Sequence, residues 1–106
     1  MKIALFGTTS YQGKMLRHEE SLKEQGHEVK LPAFDSHPEF DDIEVCEFNR
    51  SLIEWAERID VFWDNRSVGF VFDFGMIFMA RKPIHVAYLE PKTLAGVLTK
   101  YEGRMI

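Results

Sequence analysis

The chain has 106 residues, enough for one compact domain but not for two independent cores, so we expect a single domain over residues 1–106. Its formal net charge of −4 argues against a nucleic-acid polymer as partner, because a polyanion requires a basic face, but it leaves room for a mononucleotide. A single cysteine excludes an internal disulfide, and without metal-ligand spacing, a signal peptide or a membrane span we expect a cytoplasmic protein with no metal and no other cofactor.

The first part of the chain predicts a strand, a loop, a helix and a second strand. Lys2–Phe6 is a short continuous apolar run, as in a parallel strand buried on both faces. The small-residue loop Gly7–Lys14 follows it, and a helical pattern then runs to Gly26, a residue that favours a helix C-terminus. The second strand is predicted over His27–Leu31.

A loop and a long amphipathic helix come next. Phe34–Asp42 is acidic and contains a proline, as expected of a surface loop. Ile43–Arg58 has apolar residues near helical spacing, with its glutamates largely on the other face, which indicates a helix. The third and fourth strands are predicted over Ile59–Trp63 and Pro83–Tyr88, followed by a short helix over Thr93–Thr99.

The segment Gly69–Ala80, between the third and fourth strands, decides the fold class. Its phenylalanines alternate as in a strand, but parallel neighbours need a crossover of about a dozen residues, so we predict a helix. Such a helix is apolar nearly all round and must be covered on both sides, which predicts a homo-oligomer, a dimer or larger, through the apolar 69–81 segment. The element order predicts an α/β fold, a small doubly wound three-layer α/β/α domain with a four- to five-stranded, mainly parallel sheet of Rossmann or flavodoxin type.

Asp73 is the most informative residue of this segment, because it is the only ionisable side chain between Val68 and Ala80. An isolated carboxylate in apolar surroundings costs several kcal/mol unless it is paired or hydrogen-bonded. The sequence therefore predicts either a structural partner, such as Lys14, Arg66 or a backbone amide, or a pocket in which this carboxylate has a function.

Loops beyond the carboxyl ends of the strands supply further candidates, because open parallel sheets bind ligands there. A phosphate or carboxylate cradle is predicted in the first loop, although plain helix capping by Thr9 or Ser10 is an equal alternative. The cradle candidates are Gly7, Thr8, Thr9, Ser10, Gly13 and Lys14. The candidates in later loops are His37, Asp64, Ser67 and Gly69.

Three stretches of the chain have the residues and spacing of a known enzyme family. They are Ile59-Asp60-Val61-Phe62, Ser67-x-Gly69-x-x-x-Asp73-x-Gly75 and Ala80-Arg81-Lys82-Pro83-Ile84. In these stretches, and more weakly in the first two strands, the chain resembles the nucleoside 2-deoxyribosyltransferase-like family. The resemblance includes the branch of that family formed by deoxynucleoside-monophosphate N-glycosidases.

The resemblance implies a role for each matching residue. Asp73 occupies the position of the family's nucleophile, which attacks the anomeric carbon of the sugar, and Ser67 that of a serine contacting the 5′-phosphate. Asn49 and Asp64 are expected beside Asp73 at the sugar or base, and a position near a helix N-terminus is expected to keep Asp73 ionised. The family has Glu where this chain has Asp73, and Asp where it has Asn49. It often completes its site from a neighbouring subunit's carboxyl-terminal region.

Three hypotheses follow. The first is an enzyme that cleaves or transfers the N-glycosidic bond of a nucleoside, a deoxynucleoside or its 5′-monophosphate, through Asp73 as nucleophile. The second is a non-catalytic nucleotide-binding or sensing domain on the same fold, since binding tolerates a short carboxylate better than chemistry does. The third makes the apolar helix an assembly surface and Asp73 an interhelical partner.

Overall fold

The computed structural model describes residues 1–33, 38–63, 67–90 and 93–105. Its strands are β1 (Lys2–Gly7), β2 (Glu28–Lys30), β3 (Arg58–Trp63) and β4 (Ile84–Leu89). Its α-helices are α1 (Gln12–Glu24), α2 (Asp42–Trp55), α3 (Val68–Met79) and α4 (Leu94–Met105). A turn of 3₁₀-helix, Thr9–Tyr11, precedes α1.

The sheet confirms the predicted fold class. Its four strands pair in parallel in the order β2-β1-β3-β4. The chain moves outward from β1 to β2 and then crosses back to β3 and β4, so the direction reverses between β1 and β3. This is the topological switch point, and doubly wound sheets bind ligands at the carboxyl end of the strands there. No helix in the described part of the chain is long and apolar enough to cross a membrane.

Two hydrophobic cores, one on each face of the sheet, hold the helices. Side chains alternate along β1, so that Ile3 and Leu5 join the core on the α1 side, whereas Ala4 and Phe6 join the core of α2 and α3. All four are fully buried. The cores therefore fix α1 on one face and α2 with α3 on the other, the three-layer arrangement that the element order predicts.

An ion cluster ties β3 to α1 on the face that α1 covers. Asp60 is fully buried, and the guanidinium of Arg58 donates from Nε to its Oδ1 at 2.7 Å and from Nη2 to its Oδ2 at 3.0 Å. Nε2 of His18 lies 2.8 Å from the same Oδ2. Both carboxylate oxygens thus have partners inside the fold.

Helix ends differ from the sequence prediction in two places. α2 ends at Trp55 rather than Arg58, because Ala56 already has an extended conformation and Arg58 begins β3. α4 runs on well beyond the predicted end at Thr99, to Met105. No proline or glycine marks the end of α2, and nothing between Thr99 and Met105 breaks α4, since Gly103 alone does not stop a helix.

Candidate functional site

A cavity of about 600 Å³ opens at the carboxyl end of the sheet, on the face that carries α2 and α3. Its lining comes from the end of β1, the segment after β2, the first half of α2 and the first half of α3. Seven residues singled out in the sequence lie in this lining: Gly7, Thr8, Thr9, Asn49, Ser67, Gly69 and Asp73. The topology thus brings together residues from three distant parts of the chain.

Of the predicted cradle residues, Gly7, Thr8 and Thr9 belong to the cavity lining, whereas Ser10, Gly13 and Lys14 do not. α1 begins only at Gln12, after the 3₁₀ turn, and its N-cap residue Tyr11 makes no side-chain capping bond, so neither Thr9 nor Ser10 caps the helix. The Ser10 hydroxyl instead hydrogen-bonds that of Thr8. Ser10 lies within the 3₁₀ turn and does not belong to the cavity lining.

Gly13 and Lys14 lie outside the cavity lining. Both lie in the first turn of α1, and Nζ of Lys14 stands 4.6 Å from the ring centre of Tyr88, a cation–π contact on the α1 face of the sheet. Two other candidates, His37 and Asp64, lie outside the described residues.

Gly7 lines the cavity at the end of β1, at a position where no larger residue fits. A Cβ at this position would lie 2.8 Å from both the Cβ and the carbonyl oxygen of Phe62, and 3.1 Å from Sδ of Met15. A side chain would push the end of β1 away from β3 at the switch point. The close approach of the two strands therefore sets the shape of the floor.

Asn49 connects two other walls of the cavity. Its side chain is buried, and the backbone N–H of Ala33 donates to its Oδ1 at 3.0 Å. Because that bond fixes the orientation of the amide, Nδ2 faces α3 and donates to Oδ2 of Asp73 at 3.5 Å. An amide can accept on one side and donate on the other, whereas a carboxylate at position 49 would face a second carboxylate.

This bond corrects the prediction for the partner of Asp73. Among the described residues, the hydrogen-bond partner of Asp73 is the side chain of Asn49, whereas Lys14 contacts Tyr88. Arg66, the other proposed cation, lies outside the described residues. Sequence reasoning reached Asn49 by position alone, because only the packing of α2 on α3 brings residues 49 and 73 together.

Burial raises the pKa of Asp73 from its ordinary 3.8 to about 6, and the hydrogen bond from Asn49 offsets part of that rise. Asp73 lies in the second turn of α3, so the helix N-terminus does not keep its pKa low, contrary to the sequence expectation. The carboxylate is still about nine-tenths ionised at pH 7. The site therefore holds an anion that is poorly solvated, a property suited to a nucleophile.

We expect Asp73→Asn to stabilise the fold at pH 7 to 8. The raised pKa means that ionisation of Asp73 destabilises the folded state relative to the unfolded chain. This cost is absent below about pH 3.8, grows between pH 3.8 and pH 6, and is complete above pH 6. Because the side chain is partly exposed, we discount this cost to about 1 to 2 kcal/mol, which corresponds to a rise in Tm of roughly 5 °C or more.

Thermal melts of both proteins at pH values from 4 to 8 check this expectation. The gain in Tm should shrink towards zero near pH 4. Asp42→Asn, at an exposed position in the first turn of α2, is the control and should change stability by less than about 1 kcal/mol throughout. A Tm difference that does not vary with pH would show that Asp73 carries no ionisation cost.

The N-terminus of α3 forms a second polar feature of the cavity. Ser67 is the N-cap of this helix, and its Oγ accepts a hydrogen bond from the backbone N–H of Phe70 at 3.1 Å. Val68 and Gly69 line the cavity at the first turn, where backbone N–H groups lack partners within the helix and the helix dipole is positive. This end of α3 suits an anionic group.

The apolar part of the lining was missed in the sequence. It includes Val45 and Cys46 of α2 together with Pro32 and Phe72. Val45 and Asn49 are four residues apart, so the sequence already indicates that they share one face of a helix. It does not indicate which way that face points, because this depends on how α2 docks. These flat and branched side chains suit a planar, weakly polar group such as a nucleobase.

The sheet and the cavity define a small Rossmann-like α/β domain with a carboxylate-bearing cleft at its switch point. Comparison with models of protein families gives no match, and no curated protein is significantly similar to the chain in sequence. Function is therefore inferred from the chemistry of the site.

Proposed function

We propose that the protein cleaves or transfers the N-glycosidic bond of a deoxynucleoside or its 5′-monophosphate, with Asp73 as the nucleophile. The observation that carries this proposal is the half-buried Asp73 carboxylate, with its raised pKa, in the wall of a cavity that also contains the N-terminus of α3. Ser67 and Asp73 are six residues apart on that helix, about 9 Å along its axis. A sugar 5′-phosphate can extend over this separation, with its phosphate at Ser67 and C1′ at Asp73.

The proposed reaction has two steps. An oxygen of Asp73 attacks C1′, the bond from C1′ to the base nitrogen breaks, and the base departs with the electron pair and takes up a proton from water. Water or a second base then attacks C1′ of the resulting sugar ester, which frees the Asp73 carboxylate. Asn49 holds Asp73 in position by donating to Oδ2.

A second candidate function is a nucleotide-binding or sensing domain without turnover. The identity of residue 49 favours it, because an amide held by Ala33 and Asp73 neither gives nor takes a proton. The polar end of α3 and the apolar lining would bind a nucleotide in the same way in both cases. The two functions differ only in whether the base is released.

We expect Ser67→Ala to weaken the use of a 5′-monophosphate by about 10- to 100-fold, because a hydrogen bond to a charged group contributes about 1.5 to 3 kcal/mol. Use of the unphosphorylated nucleoside should change much less. The measurement is kcat/KM, or Kd if there is no turnover, for each pair of substrates.

Ser67→Asp separates the phosphate contact from helix capping. Aspartate caps a helix as serine does, so it should retain the fold while its charge repels the phosphate. Both variants should therefore discriminate against the monophosphate. Equal losses for nucleoside and monophosphate would assign Ser67 to the fold alone.

We also propose a homo-oligomer through α3. The face of this helix turned away from the sheet is entirely apolar, and its residues are exposed to 55–85% in the single chain: Val68, Val71, Phe72, Phe78 and Met79. Gly75 lies on this face, and a Cβ there would meet nothing within 4 Å, so a second helix can approach closely. An uncharged patch is compatible with itself across a two-fold axis, which makes a second copy the fitting partner.

A further inference from the structure

A second cavity, of about 250 Å³, lies between α2 and α3. Its lining comes from the second half of each helix and from the residue that follows α3: Arg50, Ile53, Glu54, Met76, Met79 and Ala80. Four of these six residues are apolar. Only Met79 also belongs to the apolar outer face of α3, so this cavity is distinct from the surface proposed for the oligomer.

The second cavity continues the line of the first along the same two helices. Met76 and Ala80 follow Asp73 by three and seven residues, and Ile53 follows Asn49 by four. At 100° per residue, the three positions on α3 fall within about 60° of one another and the two on α2 within about 40°. The bond from Asn49 to Asp73 therefore stands between the two cavities.

Two contacts tie α2 to the segment of α3, one on each side of the second cavity. On the side of the site, Nδ2 of Asn49 donates to Oδ2 of Asp73 at 3.5 Å. On the other side, Nζ of Lys82 donates to the carbonyl oxygens of Glu54 and Ala56 at 3.2 and 2.7 Å. The contact of Lys82 is the stronger one, because its donor is charged and its bonds are shorter. A change in the spacing of the helices should therefore alter the bond from Asn49 to Asp73 first.

The charged side chains at the second cavity carry a net negative charge. Arg50 donates from Nε to Glu54 at 3.4 Å and from Nη1 to Glu47 at 3.5 Å, so that two carboxylates share one guanidinium. Lys82 is outside the lining and directs its charge to the carbonyl groups at the end of α2. A cation is thus attracted to this cavity and an anion is repelled. The flexible methionine side chains can adapt to an apolar group.

We propose that the second cavity binds a small apolar amine, and that the bound molecule weakens the hold of Asn49 on Asp73. Apolar walls gain from closing on each other, because contact buries their surface. A molecule between α2 and α3 binds only the open arrangement and stabilises it. Since Lys82 fixes the far end, the wider spacing falls on the 3.5 Å bond from Asn49 to Asp73.

The consequence for the site rests on the proposed function. Once the bond from Asn49 is lost, Asp73 is less firmly positioned as a nucleophile, and base release should become slower. The binding of the amine and the change at Asn49 do not depend on that function. Both are measured without a nucleotide, so their failure can be distinguished from a failure of the proposed function.

Cyclohexylamine and cyclohexanecarboxylate test the binding, because they share one apolar ring and carry opposite charges at neutral pH. Calorimetry should give a Kd of about 1 to 10 mM for the amine, as expected for so small a ligand. The carboxylate should bind at least about threefold more weakly, a difference in keeping with exposed charges. Equal binding of the two compounds, or no binding of the amine, would overturn the proposal.

Three variants locate the bound amine. Glu54→Gln should remove the preference for the amine, whereas Glu24→Gln, at an exposed position on α1, should retain it. Ala80→Leu adds a larger side chain inside the cavity and should weaken binding at least tenfold, with the fold followed by circular dichroism. Unchanged preference in Glu54→Gln, or unchanged affinity in Ala80→Leu, would place the amine elsewhere.

Proton exchange of the Asn49 side-chain amide with water, followed by NMR, tests the coupling. Saturating cyclohexylamine should speed this exchange in the wild type, because the amide loses its acceptor, but not in Ala80→Leu. The side-chain amide of Gln25, which bonds Ser21 beside α1, is the control and should not change. Binding without a change at Asn49 overturns the coupling. Base release that the bound amine does not slow overturns the regulation, whereas a wild type without any base release overturns the proposed function alone.

Discussion

Asp73→Asn should abolish base release, lowering kcat by about a thousandfold or more, because an amide cannot replace the carboxylate as nucleophile. The proposed site offers no second carboxylate in the described cavity lining, so little residual chemistry is expected. The measurement is chromatographic detection of free base after incubation with deoxynucleosides and their 5′-monophosphates. Wild-type activity should also fall as the pH drops below about 6, since the nucleophile must be ionised.

Asp73→Glu is the matched control for this prediction. It keeps the charge and extends the carboxylate by about 1.5 Å. Retained base release by Asp73→Glu, with loss in Asp73→Asn, would assign the chemistry to the carboxylate. No release by the wild type from any substrate would favour the sensing domain, for which stabilisation by a nucleotide is the next measurement. Loss of the oligomer in Asp73→Asn without any ligand effect would favour a structural role.

Arg58→Ala should lower the free energy of unfolding by about 3 kcal/mol or more, because it removes a cation from a fully buried carboxylate. Within the part of the chain that the structure describes, Asp60 would then retain His18 as its partner. For a domain of this size the loss corresponds to a fall in Tm of more than roughly 10 °C. Urea denaturation or calorimetry at pH 7 measures it.

Arg50→Ala is the control for the buried pair. Arg50 bonds Glu47 and Glu54 on the exposed surface of α2, and its loss should change stability by about 0.5 kcal/mol or less. Replacing both Arg58 and Asp60 by apolar residues should recover much of the loss, since no unpaired charge remains buried. Equal effects of Arg58→Ala and Arg50→Ala would contradict this account.

The fold could be predicted from the sequence because its signals are local. Short apolar runs marked the strands, and the crossover required between parallel strands identified Gly69–Ala80 as a helix although its phenylalanines alternate. Element ends were less certain where no proline or glycine marks them, as at Ala56. α1 begins at Gln12, inside the stretch Gly7–Lys14 that its small residues predicted as a loop, so the first turn of the helix was missed.

The candidate site could be predicted only in part. The switch-point rule located the loop after β1 and the N-terminus of α3, since both follow from strand order. The bond between Asn49 and Asp73 could not be predicted, because it depends on how α2 docks against α3 across 24 residues of chain.

The fixed amide of Asn49 has a consequence for the choice of leaving group. A neutral side-chain amide does not give up a proton near neutral pH, so Asn49, which is held by Ala33 and Asp73, cannot deliver a proton to the departing base. The base must then leave on the strength of its own acidity, or after taking a proton from solvent at the cavity mouth. Under the proposed function, nucleosides with electron-poor bases should react fastest, and the rate should follow the acidity of the released base.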